Sequence, residues 1–200
     1  MLVLLVAVMA LHALATGVAA QGPAGTWASG IQIQNQSSTT PANITIRFYW
    51  AVDTATPGQL ALTFTDTVAA GQSKTYYVPS HIPDLPDDFV GSAVVDSDQP
   101  VAAILNTTNT DDTAPKRLGA ATGVLTPSTT VYAPYLRKAY YGRNSYMAVQ
   151  NTTGTEAQVT VTYRDGAGNA LPTAEEAATL PPYSTKIFYQ DMNQNLPAGF

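Results

Sequence analysis

The chain carries nearly the same stretch of sequence twice, and this repetition limits the folds open to it. Residues 32–49 read QIQNQSSTTPANITIRFY, and residues 148–164 read AVQNTTGTEAQVTVTYR. Repeated blocks in a fixed order indicate duplication of one domain. The matching blocks are Gln34-Asn35 with Gln150-Asn151, residues 42–46 with 157–161, residues 73–77 with 185–189, and Leu85, Pro86 and Phe89 with Leu196, Pro197 and Phe200.

Short runs rich in Val, Ile, Thr and aromatic residues predict β-strands along both copies. Many runs alternate apolar and polar side chains, which is typical of a strand with one buried and one wetted face. Turn-forming Asp, Asn, Gly and Pro separate them, as in an antiparallel sandwich or barrel. The runs occupy residues 43–50, 59–65, 74–78, 92–95, 101–105 and 158–164. We predict an all-β chain of two tandem immunoglobulin-like antiparallel β-sandwich domains.

The most helix-like segment of the repeat region is PTAEEAATL at residues 172–180. Ala and Glu favour a short helix there. The aligned stretch of the first copy is strand-like, however. We therefore predict strand or irregular structure for this segment.

The N-terminal segment has the pattern of a secretory signal peptide. Residues 1–20 read MLVLLVAVMALHALATGVAA, an apolar run followed by small residues, with Val18 and Ala20 at a plausible cleavage site. We predict a signal peptide at 1–20, a first repeat at 21–126 and a second at 127–200. No Lys or Arg precedes the apolar run, so retention as an anchor is the alternative. The run is short for a membrane span, which needs about 20 apolar residues, and cleavage would leave no stable span.

The two copies are unequally complete. The first continues past Phe89 into an evident hairpin, GSAVVDSDQPVAAILN, which has no counterpart after Phe200. The second opens with residues 129–144, whose counterpart in the first copy would fall inside the signal peptide. We therefore expect the second sandwich to be truncated, with an open sheet edge.

Several blocks of sequence resemble uncharacterised secreted repeat proteins of green non-sulfur bacteria, in which similar phrases occur in tandem β-sandwich domains. These blocks are TVYAPYL, YGRNSYMAVQN, TVTYRDGAGN, LPPYST and FVGSAVVDSDQPVAAILN. The resemblance covers most of the chain after residue 20. It implies a secreted or cell-surface repeat architecture, and it names no activity and no catalytic residue.

Composition argues against most catalytic and nucleic-acid functions. Nine Lys and Arg oppose fourteen Asp and Glu, a net charge of −5, whereas nucleic-acid binding requires a basic surface. Cysteine is absent, so stability must come from packing and hydrogen bonds. After residue 20 the sole histidine is His81, which can form neither a catalytic triad nor a zinc site without partners. Glu156, Glu175 and Glu176 lie in turn-like or irregular positions with no evident pairing, unlike glycosidase carboxylates.

Two groups of residues are candidates for binding. Tyrosine offers a flat apolar body with a polar tip, so a tyrosine cluster interspersed with cations could bind sugar or a partner, or could fill the joint between the domains. Loop aspartates are weak candidates for a calcium site, since calcium takes oxygen ligands, although no DxDxDG loop is present. The first group is Tyr132, Tyr135, Tyr140, Tyr141, Tyr146, Arg137, Lys138 and Arg143; the second is Asp84, Asp87, Asp88, Asp96 and Asp98.

Asn-x-Ser/Thr occurs at Asn35, Asn43, Asn106 and Asn151. In a bacterial protein we interpret these asparagines as caps of strand ends, in which the side chain bonds nearby backbone.

Charge is also segregated: acids accumulate in residues 84–112 and bases in residues 116–143. The hypothesis that follows is that these two segments face each other across the joint.

These observations favour a non-enzymatic extracellular or cell-surface protein with a structural or adhesive role and no cofactor. Its expected partners are neighbouring β-sandwich repeats or cell-surface components. The alternative is a carbohydrate-binding module of a larger secreted enzyme, with polysaccharide as its partner. Exposed, coplanar tyrosines would favour the module, and burial of those rings between the domains would favour the structural role.

Overall fold

The computed structural model of the chain describes residues 2–8, 26–109 and 118–200, and these residues form twelve strands. They are β1 (Leu2–Val8), β2 (Trp27–Asn35), β3 (Ala42–Trp50), β4 (Leu60–Val68), β5 (Ser73–Tyr77), β6 (Gly91–Ser97), β7 (Val101–Asn109), β8 (Leu118–Thr122), β9 (Tyr146–Gln150), β10 (Ala157–Val161), β11 (Glu176–Leu180) and β12 (Thr185–Tyr189). The pairings between these strands are antiparallel. The predicted all-β fold is confirmed.

Strands β1–β8 form the first unit, which consists of two four-stranded sheets. One sheet has the order β1-β6-β3-β4 and the other β5-β2-β7-β8. In β3 the side chains of Ile44, Ile46 and Phe48 are buried while those between them are more exposed, as expected for a strand with one face against a core. Ile31 and Ile33 of β2 belong to the same hydrophobic core. The two strands of the predicted hairpin are present as β6 and β7, but they lie in different sheets and do not pair with each other, so the hairpin prediction is wrong.

Strands β9–β12 form the second unit, whose pairings repeat those of the first. β9 pairs with β12 and β10 with β11, as β2 pairs with β5 and β3 with β4. The register is also the same: Gln34 lies opposite Ser73, and Gln150 opposite Thr185. A slip of one residue would turn each side chain to the other face of the sheet. Because the register is the same, matching residues of the two units point to the same side of their sheets.

The second unit has fewer strands than the first. Within the described part of the chain, β9 and β10 each pair on one side, whereas β2 and β3 each pair on both. The missing neighbours are those that β7 and β6 supply in the first unit. This matches the expectation of open sheet edges.

The predicted signal peptide contributes a strand. Leu2–Val8 forms β1, which pairs with β6 along its whole length, from Leu2 opposite Ser97 to Val8 opposite Gly91. β1 is therefore the edge strand of its sheet. Residues 9–25, which include the predicted cleavage site, lie outside the described part of the chain, and cleavage stays a prediction.

Helical structure in the described residues is limited to single turns. α1 (Val78–His81) is one such turn, directly after β5. A 3-10 turn at Pro172–Ala174 precedes β11, so residues 172–180 contain the predicted strand. Among the described residues there is no helix with the length and apolar character needed to cross a membrane.

Candidate functional site

A tight turn lies within the segment that the sequence singled out for binding. The backbone groups of Tyr140 and Arg143 bond each other twice, with N–O distances of 3.1 and 3.0 Å. Between them, Tyr141 and Gly142 have φ angles of 48° and 69°, which is the two-residue hairpin turn that needs positive φ at both central positions. Asparagine or glycine usually fills the first position, so a tyrosine there is strained. Its ring is nevertheless 86% exposed.

Arg137 organises the rings beside this turn. Its guanidinium carbon lies 4.4 Å from the ring centre of Tyr135 and 5.6 Å from that of Tyr140, within the range of a cation–π contact. The Tyr140 and Tyr141 rings meet edge to face, with centres 4.7 Å apart and planes at 83°. We call these four residues the tyrosine–arginine face. Its rings are exposed, yet the Tyr140 and Tyr141 rings are not coplanar.

The remaining members of the predicted binding cluster have other positions. Tyr132 is 87% exposed and Arg143 is exposed. Lys138 is a structural residue: its Nζ donates to the carbonyl oxygens of Asn193 at 2.6 Å and Leu196 at 2.9 Å. Tyr146 is packed beside Tyr189, and burial raises the pKa of its hydroxyl. The cluster is thus divided between an exposed face and a buried position.

Tyr146 belongs to the contact between the two units. A hydrophobic cluster joins residues of both units, and we call this cluster with its flanking contacts the joint. Its members are Ala51 and Val90 of the first unit and Tyr146, Ala148, Ile187 and Tyr189 of the second. Burial is also the main cause of the raised pKa of Tyr189. The two units therefore share a small core of their own.

Polar and aromatic contacts surround the shared core. The backbone N–H of Val52 donates to the carbonyl of Thr185 at 2.8 Å. Lys186 Nζ lies 2.7 Å from a carboxylate oxygen of Asp53. The rings of Tyr49 and Tyr183 stack with centres 5.3 Å apart and planes at 23°. These contacts fix both the distance and the rotation of one unit against the other.

Two glycines allow this close approach. Gly58 has a φ of 71°, and a Cβ on it would collide with the carbonyl oxygen of Pro182. A Cβ on Gly119 would collide with the hydroxyl of Tyr146. The joint therefore depends on the absence of side chains at these positions.

Of the residues that build the joint, the sequence identified only Tyr146. The ion pair across it, Asp53 with Lys186, involves neither of the two segregated charge runs. The stacked rings, Tyr49 and Tyr183, were not among the candidate tyrosines. One signal was available: residues 48–50 read Phe-Tyr-Trp, a run that breaks the alternation of β3 and places an aromatic ring on each face.

Two of the five candidate aspartates have structural partners. Asp96 forms an ion pair with Arg47. The carboxylate of Asp98 accepts bonds from the side chain of Asn43 at 2.7 Å and from its backbone N–H at 2.8 Å, and these bonds lower the pKa of Asp98. Asp84, Asp87 and Asp88 are exposed. Within the described residues, no three carboxylate or imidazole groups come close enough together to hold a metal ion.

The remaining candidates for acid–base chemistry are held in local structure. His81 Nδ1 lies 3.0 Å from the backbone N of Tyr77 and 3.0 Å from the carbonyl of Thr75, so it closes the turn around α1. Glu176 accepts hydrogen bonds from the hydroxyl of Tyr163 at 2.7 Å and from the amide of Asn193 at 2.9 Å. Burial, with the Glu176 hydrogen bond second, raises the pKa of Tyr163 to about 12.

The asparagines of the repeated QN phrase anchor both units in the same way. The amide of Asn35 donates to the carbonyls of Thr40, Val68 and Ala69 at 2.8, 3.1 and 3.3 Å, and its oxygen accepts from the N–H of Ser37. The predicted cap is thereby confirmed at this position.

Asn151 repeats the arrangement. Its amide donates to Thr155, Leu180 and Pro181 at 2.7, 3.1 and 3.1 Å, and its oxygen accepts from the N–H of Thr153. Both asparagines are buried, at 0% and 6% exposure. One side chain thus ties the end of its own strand to the loop that follows it and to the end of a strand in the opposite sheet.

Comparison with known proteins adds little to this description. No protein-family model matches the chain, and no curated protein matches it. A crystal structure described as Thermotoga maritima 1070 is similar over 50% of this chain and 78% of its own, with 16% sequence identity and a TM-score of 0.42.

Proposed function

We propose that the protein is a non-enzymatic, extracellular or cell-surface repeat protein with a structural or adhesive role. The observation that carries the proposal is the joint. Two units with the same strand pairings and the same asparagine anchor meet through a shared core, a backbone hydrogen bond and an ion pair. Units that each contact their neighbour in this way are typical of repeat proteins, which build extended surfaces rather than enclosed active sites.

The residues with catalytic potential support the same proposal. His81 and Glu176 are bonded to neighbouring backbone or side chains within their own units. A carboxylate that accepts bonds from Tyr163 and Asn193 serves to satisfy buried donors. The apolar leader pattern of residues 1–20 supports export.

The joint provides a direct test of the structural part of the proposal. Gly58→Ala should disrupt the contact with Pro182 and loosen the units, because the added Cβ has no room. Gly71→Ala is the matched control: its φ of 67° is equally unfavourable to alanine, but no atom lies within 4 Å of the added Cβ. Small-angle X-ray scattering should show a broader distribution of interatomic distances for Gly58→Ala alone. Equal scattering from the two variants would contradict a rigid joint.

The cellular part of the proposal is tested in the producing organism. Protease treatment of intact cells should remove the protein, and deletion of its gene should weaken the cell envelope or attachment to surfaces. A protein found only inside protected cells would refute the proposal.

Carbohydrate binding is a second candidate, favoured by the tyrosine–arginine face. Tyr141 has a strained backbone, and its side chain is almost fully exposed to solvent. Such strain often accompanies ligand contact. Binding of polysaccharides by the full chain should be lost in Tyr141→Ala and kept in Tyr77→Ala, which removes an exposed tyrosine of the first unit. Absence of binding by the unaltered chain to a broad panel of polysaccharides would exclude this candidate.

A further inference from the structure

The partner of β6 is a segment that export would remove. β6 pairs with β1 over seven residue pairs, and β1 lies wholly within the predicted signal peptide. Its sequence, LVLLVAV, is apolar throughout, whereas an edge strand of a sandwich usually alternates apolar and polar residues. The fold therefore has room for a strand beside β6. The segment that occupies this place has the composition of a signal peptide.

Removal of residues 1–20 would open this edge. The unpaired N–H and C=O groups of β6 would then be free to pair with another strand. The strand itself would still be anchored, because Ala93 and Val95 are fully buried and β3 pairs with its other side. We call β6 in this condition the acceptor edge.

The chain also contains a segment suited to fill the edge. Residues 131–136, VYAPYL, belong to no helix or strand, and no backbone hydrogen bond joins them to another described residue. Val131, Tyr132 and Tyr135 are 70%, 87% and 62% exposed. Val and Tyr favour strands, and Pro134 favours an extended conformation at Ala133. We call residues 131–136 the donor segment.

The donor segment precedes β9 in the chain, and β9 corresponds to β2 by register. The strand corresponding to β6 does not occur in the described second unit. Export would thus leave β6 without its partner β1, while the donor segment has no strand partner among the described residues.

Pro134 is compatible with this position. Proline cannot donate to a ladder, so it is confined to edge strands, with its nitrogen facing away from the neighbour. The position beside β6 is an edge. With Pro134 facing outward, the backbone groups of Val131, Ala133 and Tyr135 face β6, since alternate residues point to the same side.

We propose that the exported protein associates with a second copy of itself, by addition of the donor segment of one molecule to the acceptor edge of the other. A second copy is the preferred source because the hydrogen bonds of Arg137 with Ser145 and of Lys138 with Phe200 hold the end of the donor segment on the second unit. This inference rests on the proposed export, which removes β1.

The test compares two forms of the full chain. In the exported form, intact mass should show loss of residues 1–20, and light scattering should show a molar mass at least twice that of one chain. The form that keeps residues 1–20 should remain monomeric, because β1 covers β6. An exported chain that keeps these residues would overturn the inference, because its premise is that export removes β1. A processed chain that stays monomeric would overturn the inference alone and leave the proposed function standing.

A pair of proline variants tests the strand geometry. Ala133→Pro removes an N–H that faces β6 and should return the processed chain to a monomer. Tyr132→Pro removes an N–H that faces solvent and should leave association at least half as strong as in the unaltered chain. Equal behaviour of the two variants would show that association does not use strand addition.

Cross-linking separates a second copy from insertion within one chain. The protein has no cysteine, so each introduced thiol is unique. A chain carrying Val94→Cys, on the half-exposed face of β6, is mixed with one carrying Tyr132→Cys or Ala133→Cys. These two thiols lie on opposite faces of the donor segment, and one of the two mixtures should form a cross-linked heterodimer on oxidation. Cross-linking only when both thiols are in the same chain would overturn the proposal.

Discussion

The two units share a backbone arrangement but fill their cores differently. Phe64 lies opposite Ile46 in the first unit, and Glu176 lies opposite Val161 at the same place in the second. Phe48 corresponds to Tyr163 in the same way, two residues after Ile46 and Val161 respectively. The first unit packs aromatic rings where the second has a phenol and a carboxylate joined by a 2.7 Å hydrogen bond.

At a third core position, too, the second unit has a polar residue where the first has an apolar one. Ile82 is buried beside Leu85 in the first unit, and Asn193 stands at the matching place before Leu196. The turns are the same: the N–H of Leu85 bonds the carbonyl of Ile82 at 3.2 Å, and Leu196 bonds Asn193 at 3.2 Å. The Asn193 amide then donates to Glu176 and to the carbonyl of Ala174. The polar groups that replace the apolar ones are bonded to one another, as burial requires.

One aromatic contact is retained despite these changes. The rings of Phe48 and Phe89 meet edge to face with centres 5.8 Å apart and planes at 89°. Tyr163 and Phe200 repeat this contact at 6.1 Å and 84°. The comparison indicates that strand register, the asparagine anchor and one ring pair define the repeat, while neighbouring core positions accept either apolar packing or a closed hydrogen-bond network.

The largest expected effect is in the apolar core. Phe48→Ala should lower the free energy of unfolding of the first unit by about 3–5 kcal/mol, because a fully buried ring is replaced by a cavity. Both tryptophans, Trp27 and Trp50, lie in the first unit, so urea titration followed by tryptophan fluorescence reports on that unit. A loss below about 1 kcal/mol would show that this ring does not support the core.

The asparagine anchors should matter about equally in the two units. Asn35→Ala and Asn151→Ala each leave buried carbonyls without a donor, which should cost about 1–3 kcal/mol. Circular dichroism during urea unfolding follows both units, and tryptophan fluorescence identifies losses in the first. A large effect at Asn35 with none at Asn151 would break the equivalence of the copies.

Alkaline pH should distinguish Tyr163 from its counterpart Phe48. The folded pKa of Tyr163, about 12, lies above its ordinary value of 10. The stability that it contributes is therefore complete below pH 10 and is lost as the pH rises toward 12. Tyr163→Phe should be less stable than the unaltered chain at pH 8, and the difference should shrink by pH 11. A difference that is constant with pH would show that folding does not raise the pKa of this phenol.

The smallest expected effect concerns the ion pair of the joint. In a double-mutant cycle with Asp53→Asn and Lys186→Gln, the coupling energy should be about 0.2–1 kcal/mol, since the pair is partly exposed. It should weaken when salt is raised from low ionic strength. A coupling energy of zero at low salt would leave the apolar cluster and the stacked tyrosines as the determinants of the joint.

Strands β3–β7 and β10 could be predicted from the sequence because alternation and turn residues are local signals. The Asn-x-Ser/Thr pattern predicted caps at four asparagines, and Asn35 and Asn151 form them. β8, however, contains Gly119 and three alanines or threonines in five residues, which is a weak strand pattern. Its place in the sheet depends on pairing with β7, which the local pattern does not encode.

The binding cluster could be predicted only in part. The sequence placed Tyr135, Arg137 and Tyr140 near one another, and the structure brings these side chains into contact. Proximity along the chain could not separate Tyr146, which belongs to the joint, from its exposed neighbours. The joint itself joins residues more than a hundred positions apart, such as Asp53 and Lys186, and such contacts follow from the docking of two folded units.

The central claim is that one buried asparagine anchors each of two copies of the same unit. Exchange of the side-chain amide hydrogens with deuterium, followed by nuclear magnetic resonance, tests it directly. The account predicts slow exchange at both Asn35 and Asn151, because each amide is buried and bonded to three carbonyls. Slow exchange at Asn35 together with exchange at Asn151 as fast as in an unfolded peptide would contradict it.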